Sequence, residues 1–380
     1  MAQEKSMLVI DADSHLVEDF ARLHELTDAR YRSYAPRLVP QGPAETVQIG
    51  GVYQAQAPGM TWGDTNSRHG LDAKGRKMRK WYDAEQIGFD PKARLKLMDE
   101  IGVYGSVIFP SVGLGAGLIR IPEIAAGVCR GVNRYVADYC SADTDRMWPA
   151  ATLPMVERNA AIAEARYAVK ELGAKTVFGL SGVHGPEPIH HAYWDPFYEA
   201  VAELGVPFCT HGGGGALRGG LASERFPGQY APYHMTTHTI EAMLACVGLI
   251  TYGVLDRWPT LKVGFFEAGA GWMPFWLHRM EEKREHLGWL IPELKRSPVE
   301  IFTKQCAVTM EIEEALQAPT VGYLDGRGIL WSSDLPHFDC EDGGSPRQLV
   351  DNHELPLEHR RRVLALNAIE FFGLKVKVPA

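Results

Sequence analysis

Eight short apolar runs punctuate the chain: Leu8–Ile10, Ser106–Phe109, Met147–Leu153, Thr176–Leu180, Pro207–Thr210, Lys262–Phe266, Gln305–Thr309 and Gly328–Trp331. Each is continuous in apolar character rather than alternating, the pattern of parallel strands buried on both faces. Segments with helical periodicity lie between them: Pro91–Ile101, Pro122–Tyr139, Asn159–Leu172, Trp194–Leu204, Thr239–Leu255 and Leu357–Phe372. Gly173 and Gly205 each close a helix just before the next strand, where a left-handed residue ends a helix at least cost. Strand and helix in alternation predict an α/β fold, a (β/α)8 barrel, with an open doubly wound sheet as the alternative. Two stretches break the rhythm, 17–88 after the first run and a Gly-rich loop at 212–237. Loops of that length in a compact domain are usually lids or binding walls. The reading is one domain over 1–380 with a lid inserted at 17–88.

Composition narrows the partners. The chain has 380 residues, 46% of them apolar, which is enough for a large core. Thirty-nine Lys and Arg stand against 47 Asp and Glu, a net charge of −8. An acidic surface argues against nucleic acid or an anionic membrane as partner, since both need basic patches. There is no run of 18 apolar residues to span a bilayer and no signal-peptide pattern before Leu8. The six cysteines form no CxxC pair and read as reduced thiols. These features together predict a cytoplasmic protein that acts on a small molecule.

Barrel enzymes of this architecture place their chemistry at the C-terminal ends of strands. The first strand runs into Asp11-Ala12-Asp13-Ser14-His15, where alternation puts Asp11, Asp13 and His15 on one face. A carboxylate and an imidazole two residues apart can share a metal, although turn and capping roles explain them equally well. The fifth strand ends in Thr210-His211 before four glycines; the sixth in Phe266-Glu267-Ala268-Gly269; the eighth in Ser332-Ser333-Asp334-Leu335-Pro336-His337. Each has an ordinary reading as a structural His, a surface carboxylate facing Arg279, or a helix cap. Their coincidence at four strand ends is what points to a site.

Asp13-Ser14-His15, His211, the stretch Asp256-Arg257-Trp258-Pro259-Thr260-Leu261-Lys262-Val263, Glu267-Ala268-Gly269-Ala270-Gly271-Trp272 and Ser333-Asp334-Leu335-Pro336-His337 resemble the amidohydrolase superfamily. More narrowly they resemble its aminocarboxymuconate-semialdehyde decarboxylase-like group. The resemblance implies a TIM barrel with one divalent transition metal and, commonly, a homodimer. By position it implies Asp13, His15, His211 and Asp334 as ligands, with Asp334 also handling protons. The group's decarboxylases usually carry a His where this chain has Glu267. With Glu267 as a further ligand or base the donor set becomes rich in oxygen. That leans from the group's default zinc towards iron or manganese.

Two reactions fit such a site. Hydrolysis of an ester, thioester, amide or activated C–C bond uses a metal-activated water, with Asp334 as base, Glu267 assisting, and His238 or His337 steadying the oxyanion or the substrate. Non-oxidative decarboxylation of an aromatic or enoic acid is the alternative. A catalytically silent ligand-binding barrel is a third reading from another class. Glu267 tips the sequence reading towards hydrolysis, because its charge opposes a substrate carboxylate unless an arginine such as Arg218, Arg130 or Arg79 compensates. Further candidate substrate contacts are His184, Arg218 and Trp272. Trp276, Leu277 and Met280 form an apolar stripe that suggests a subunit contact.

Overall fold

A computed structural model gives the fold and describes residues 7–41, 44–50, 52–53, 89–182, 185–213, 226, 230–337, 340 and 344–376. The chain forms β1 (Ile10–His15), a small antiparallel sheet of β2 (Arg37–Gln41), β3 (Ala44–Ile49) and β4 (Val52–Tyr53), then β5 (Gly105–Phe109), β6 (Met147–Thr152), β7 (Thr176–Leu180), β8 (Phe208–His211), β9 (Val263–Phe266), β10 (Cys306–Met310) and β11 (Ile329–Trp331). β1 and β5 to β11 make one eight-stranded sheet in chain order, every paired neighbour parallel. Helices cover its outside, as expected of a (β/α)8 barrel.

Strand alternation divides the core into two layers. Ile10, Ala12, Val107, Phe109, Trp148, Ala150, Phe178, Cys209, Phe266, Ala307 and Leu330 fill the barrel, with Phe371, Phe372 and Leu374 packed against them. Ile108, Val177, Phe208, Val263, Phe265, Val308 and Trp331 face the surrounding helices. The strands are therefore wetted on neither face, which is why most of them read as apolar runs; β1 departs from this, with Asp11, Asp13, Ser14 and His15 buried along it.

Several helix ends follow the local chemistry. Asp90 caps the helix Pro91–Ile101 by accepting from the Lys92 N–H at 2.9 Å, with a proline in its first turn. The helix Arg158–Leu172 ends on left-handed Gly173. The helix expected at 239–255 begins earlier, at Tyr230, and stops at Thr251; Gly253, at φ 68°, then separates it from a short turn at Val254–Arg257. The last helix is one helical path in three parts, Leu357–Arg361, a π-turn at Arg362–Leu366, and Asn367–Phe372.

The insertion carries more structure than a bare lid: the helix Phe20–Leu26, a 3-10 turn at Ala29–Tyr34 and the three-stranded sheet. Residues 54–88, the greater part of the expected lid with Arg79, lie outside the described residues. The stripe read as a subunit contact packs inward instead. Leu277 and Met280 are buried in the core, and the Trp276 indole N–H donates to the Met243 carbonyl at 2.9 Å. No helix among the described residues is long and apolar enough to cross a membrane.

Candidate metal centre and active site

The site assembles where the barrel closes. β1 and β11 are the two edges of the sheet, and their exits are stitched together by His15 N–H to the Leu335 carbonyl at 2.7 Å and Asp334 N–H to the Asp13 carbonyl at 3.1 Å. Asp13, His15 and Asp334 are thereby brought to one seam, all of them buried.

Strict alternation misplaces one residue here. β1 pairs Asp11 with Ser106 but Ser14 with Ile108, so β1 carries one extra residue, a bulge. Ile10 and Ala12 point into the barrel. Asp11 leaves the face it was expected to share with Asp13 and His15, and instead accepts from the Ser333 N–H at 3.0 Å and its hydroxyl at 2.5 Å. Burial raises the Asp11 carboxyl to about 7 against the lowering effect of those two bonds.

The Glu267 carboxylate reaches the site by a backbone turn. Gly264 and Phe266 lie inside the barrel, so regular alternation would send Glu267 outward beside Phe265. Glu267 takes φ 53° instead and donates its N–H to the Thr309 hydroxyl at 3.0 Å. Asp334 has φ 52°. Left-handed backbone costs a side-chain-bearing residue roughly 1–3 kcal/mol, and such strain concentrates at functional sites.

His15 donates from Nδ1 to the Pro110 carbonyl at 2.9 Å, leaving the Nε2 lone pair pointed into the seam. That Nε2 has no hydrogen-bond partner among the described residues, yet lies 3.2 Å from Asp334 Oδ1 and 3.5 Å from Asp13 Oδ1. Burial, helped by the charges of His337 and His211, holds the His15 imidazole well below its usual range and therefore neutral. A neutral nitrogen lone pair facing two carboxylate oxygens is repulsive unless a cation lies among them. His211 Nε2 stands 3.4 Å from Asp13 Oδ1. The ligand atoms of Asp13, His15 and His211 all fall within 4.8 Å of one another, as do those of His15, Asp334 and His337. These buried groups, mixing imidazole and carboxylate, suit a divalent transition metal held by Asp13, His15, His211 and Asp334.

Glu267 comes at the group from the far side of His211. Its Oε2 lies 3.1 Å from His211 Nδ1 and 3.6 Å from His238 Nε2, and its Oε1 3.8 Å from His337 Nδ1. A carboxylate on the outer nitrogen of a ligating histidine fixes which nitrogen faces the metal. Although burial opposes ionisation, His238 and His211 hold Glu267 well below the usual carboxylate range. Burial pulls His211 down, but Asp13 and Glu267 outweigh it and lift the imidazole to about 10 from the protein groups alone. His337 is likewise pulled down by burial and held well above its usual value by Asp334, 2.9 Å from its Nδ1, and by Glu267. The His337 Nε2 meets the Ser111 hydroxyl at 3.1 Å.

His238 arrives from the helix Tyr230–Thr251. Its Nδ1 donates to the His234 carbonyl at 2.9 Å, leaving Nε2 for Glu267. Gly212 makes that approach possible: a Cβ there would lie 2.2 Å from His238 Cδ2 and 2.7 Å from Glu267 Oε2. Trp272 stands apart, its ring against Phe265 of the outer layer and its indole N–H donated to the Gly269 carbonyl at 2.6 Å. Arg130 is committed to Glu164 at 2.7 Å between two outer helices, and Arg279 to Glu282 at 2.7 Å rather than to Glu267. His184 and Arg218 lie outside the described residues. Cys209 is a buried core thiol against the Thr176 hydroxyl. Sequence reading missed Ser111, Pro110 and Arg94, because nothing local marks a residue whose partner is a hundred positions away.

The sequence profile of the amidohydrolase family matches residues 10–374. The chain belongs to that family, and is an enzyme of the amidohydrolase superfamily. It is 29% identical over 298 residues to the gamma-resorcylate decarboxylase of Rhodococcus jostii RHA1, covering 74% of this chain and 87% of that one. It is 25% identical over 290 residues to the 2-amino-3-carboxymuconate-6-semialdehyde decarboxylase of Dictyostelium discoideum, covering 75% and 77%. Among solved structures, the dihydroxybenzoic acid decarboxylase of Polaromonas sp. JS666, with bound manganese and the inhibitor 2-nitroresorcinol, superposes with a TM-score of 0.66 at 19% identity, covering 97% of this chain and 98% of that one.

Proposed function

We propose that this protein is a metal-dependent, non-oxidative decarboxylase of an aromatic acid. The observation that carries the reading is the surroundings of Glu267. The preference for hydrolysis rested on its negative charge repelling a substrate carboxylate. In the structure the imidazoles of His211, His238 and His337 surround it at 3.1, 3.6 and 3.8 Å, and the proton held on His337 offsets its charge. That objection falls, and the curated relatives named above are decarboxylases rather than hydrolases.

The residues have separate tasks in this scheme. Asp13, His15, His211 and Asp334 hold a divalent metal, with manganese favoured over the zinc expected by default because the Polaromonas neighbour binds it. A cation held by these residues would offset the charge of the acid's oxygens. His337 stores a proton beside Asp334 and passes it through the Asp334 carboxyl to the ring carbon that bears the carboxylate. The C–C bond then breaks, its electron pair staying on the ring, and CO2 leaves. Glu267 fixes His211 and, with His238, receives a polar ring substituent.

The test is direct. Mn2+-loaded protein given gamma-resorcylate and related hydroxybenzoates should release CO2 in step with loss of the acid. Turnover of aryl esters or thioesters, with no CO2 from any aromatic acid, would return the assignment to hydrolysis.

Gly212→Ala probes the His238–Glu267 contact. The added methyl must displace one of the two groups, and a shift near 1 Å at a reacting centre costs about 10²-fold in rate. We expect a kcat loss of that order under saturating metal; an undiminished kcat removes the His238–Glu267 pair from the scheme.

A further inference from the structure

The two ligand-bearing motifs also contain residues that ligate nothing, and one buried arginine gathers them. Arg94 lies on the helix Pro91–Ile101 and is 1% exposed. Its Nη1 donates to the Ser14 hydroxyl at 2.7 Å, and its Nη2 to the His15 carbonyl and, at 3.5 Å, to the Leu335 carbonyl. The Ser14 hydroxyl itself donates to the Leu335 carbonyl at 3.0 Å. That carbonyl therefore collects the His15 N–H, the Ser14 hydroxyl and Arg94 together. On the other side of Leu335, the Ser333 hydroxyl accepts the Leu335 N–H at 3.1 Å and donates to Asp11 at 2.5 Å.

We infer that Arg94 is a positioning residue for the metal centre: its guanidinium clamps the end of β1 to the loop after β11 and so sets the spacing of Asp13, His15 and Asp334. β1 and β11 are edge strands with no ladder between them, so the seam depends on these contacts at the ligands' own peptides. A guanidinium can serve three acceptors at once because its donors form a rigid planar fork; an ammonium on a flexible stem cannot hold the same spread. Burying such a charge is costly unless its partners are in place. Here those partners are the His15 and Leu335 carbonyls, the Ser14 hydroxyl and the Tyr139 phenol, so the charge is bound to the peptides that hold the ligands. The inference rests on the metal reading of the site.

Manganese titration followed by electron paramagnetic resonance of the free ion tests it on the full chain. Arg94→Lys should weaken Mn2+ binding about 10–100-fold, the usual cost of disturbing a ligand's support, and Arg94→Met should weaken it more. Arg130→Lys disturbs an ion pair in the outer helical layer and serves as the control; its Mn2+ affinity should match the wild type even if its thermal midpoint falls. Should the Arg94 variants fail to fold, Ser14→Ala removes only the hydroxyl link and should weaken Mn2+ about 3–10-fold, within the range of one lost hydrogen bond. A folded Arg94→Lys, or Ser14→Ala, with wild-type affinity overturns the clamp. A wild-type protein that binds no Mn2+, Zn2+ or Fe2+ overturns the metal reading instead, a result the titration separates from the first.

Discussion

Asp334→Asn is expected to lower CO2 release from an aromatic acid by about 10²–10⁴-fold, the usual contribution of a positioned proton donor. Two losses combine. The amide cannot take up and hand on a proton. It also no longer offers the negative charge that, 2.9 Å from Nδ1, keeps His337 protonated. The effect belongs in kcat under saturating substrate and metal, since the ligand set of Asp13, His15 and His211 survives the change. Single-turnover CO2 release alongside elemental analysis separates lost proton transfer from lost metal. A variant that keeps its metal and decarboxylates at the wild-type rate removes Asp334 from proton transfer.

Stripping the metal with a strong chelator should bring CO2 release to background and lower the thermal midpoint, both restored by adding Mn2+. The stability change follows from the charges. Asp13 and Asp334 oxygens stand 3.5 and 3.2 Å from His15 Nε2 in a buried seam. Burial already raises the Asp13 carboxyl above its usual range. A cation at this point relieves that crowding, and a ligand at a hundred times its Kd stabilises the native state by about 2.7 kcal/mol. Calorimetry in chelator and in excess Mn2+ measures the difference. Equal midpoints and equal rates in the two conditions would show that these carboxylates are arranged for something other than metal.

Much of the architecture is legible along the chain. Parallel strands buried on both faces are largely apolar, so seven of the runs map onto barrel strands with small shifts at their ends, while the run Leu8–Ile10 meets β1 only at Ile10. Helix ends marked by a left-handed glycine, Gly173 and Gly205, were visible for the same local reason. Residues at 212–237 show the limit: a Gly-rich stretch hid the first turns of the helix that carries His238, because helix formation there is decided by packing against the barrel.

The site divides along the same line. That Asp13, His15, His211, Glu267 and Asp334 sit at strand ends is a matter of chain position, and strand ends in a barrel converge on one mouth whatever the details. Which nitrogen faces which oxygen is not. The bulge in β1 turns Asp11 to Ser333, the left-handed turn at Glu267 brings its carboxylate behind His211, and the missing side chain of Gly212 admits His238. Each of these depends on one atom meeting another from a distant part of the chain, and only closure of the barrel brings them together.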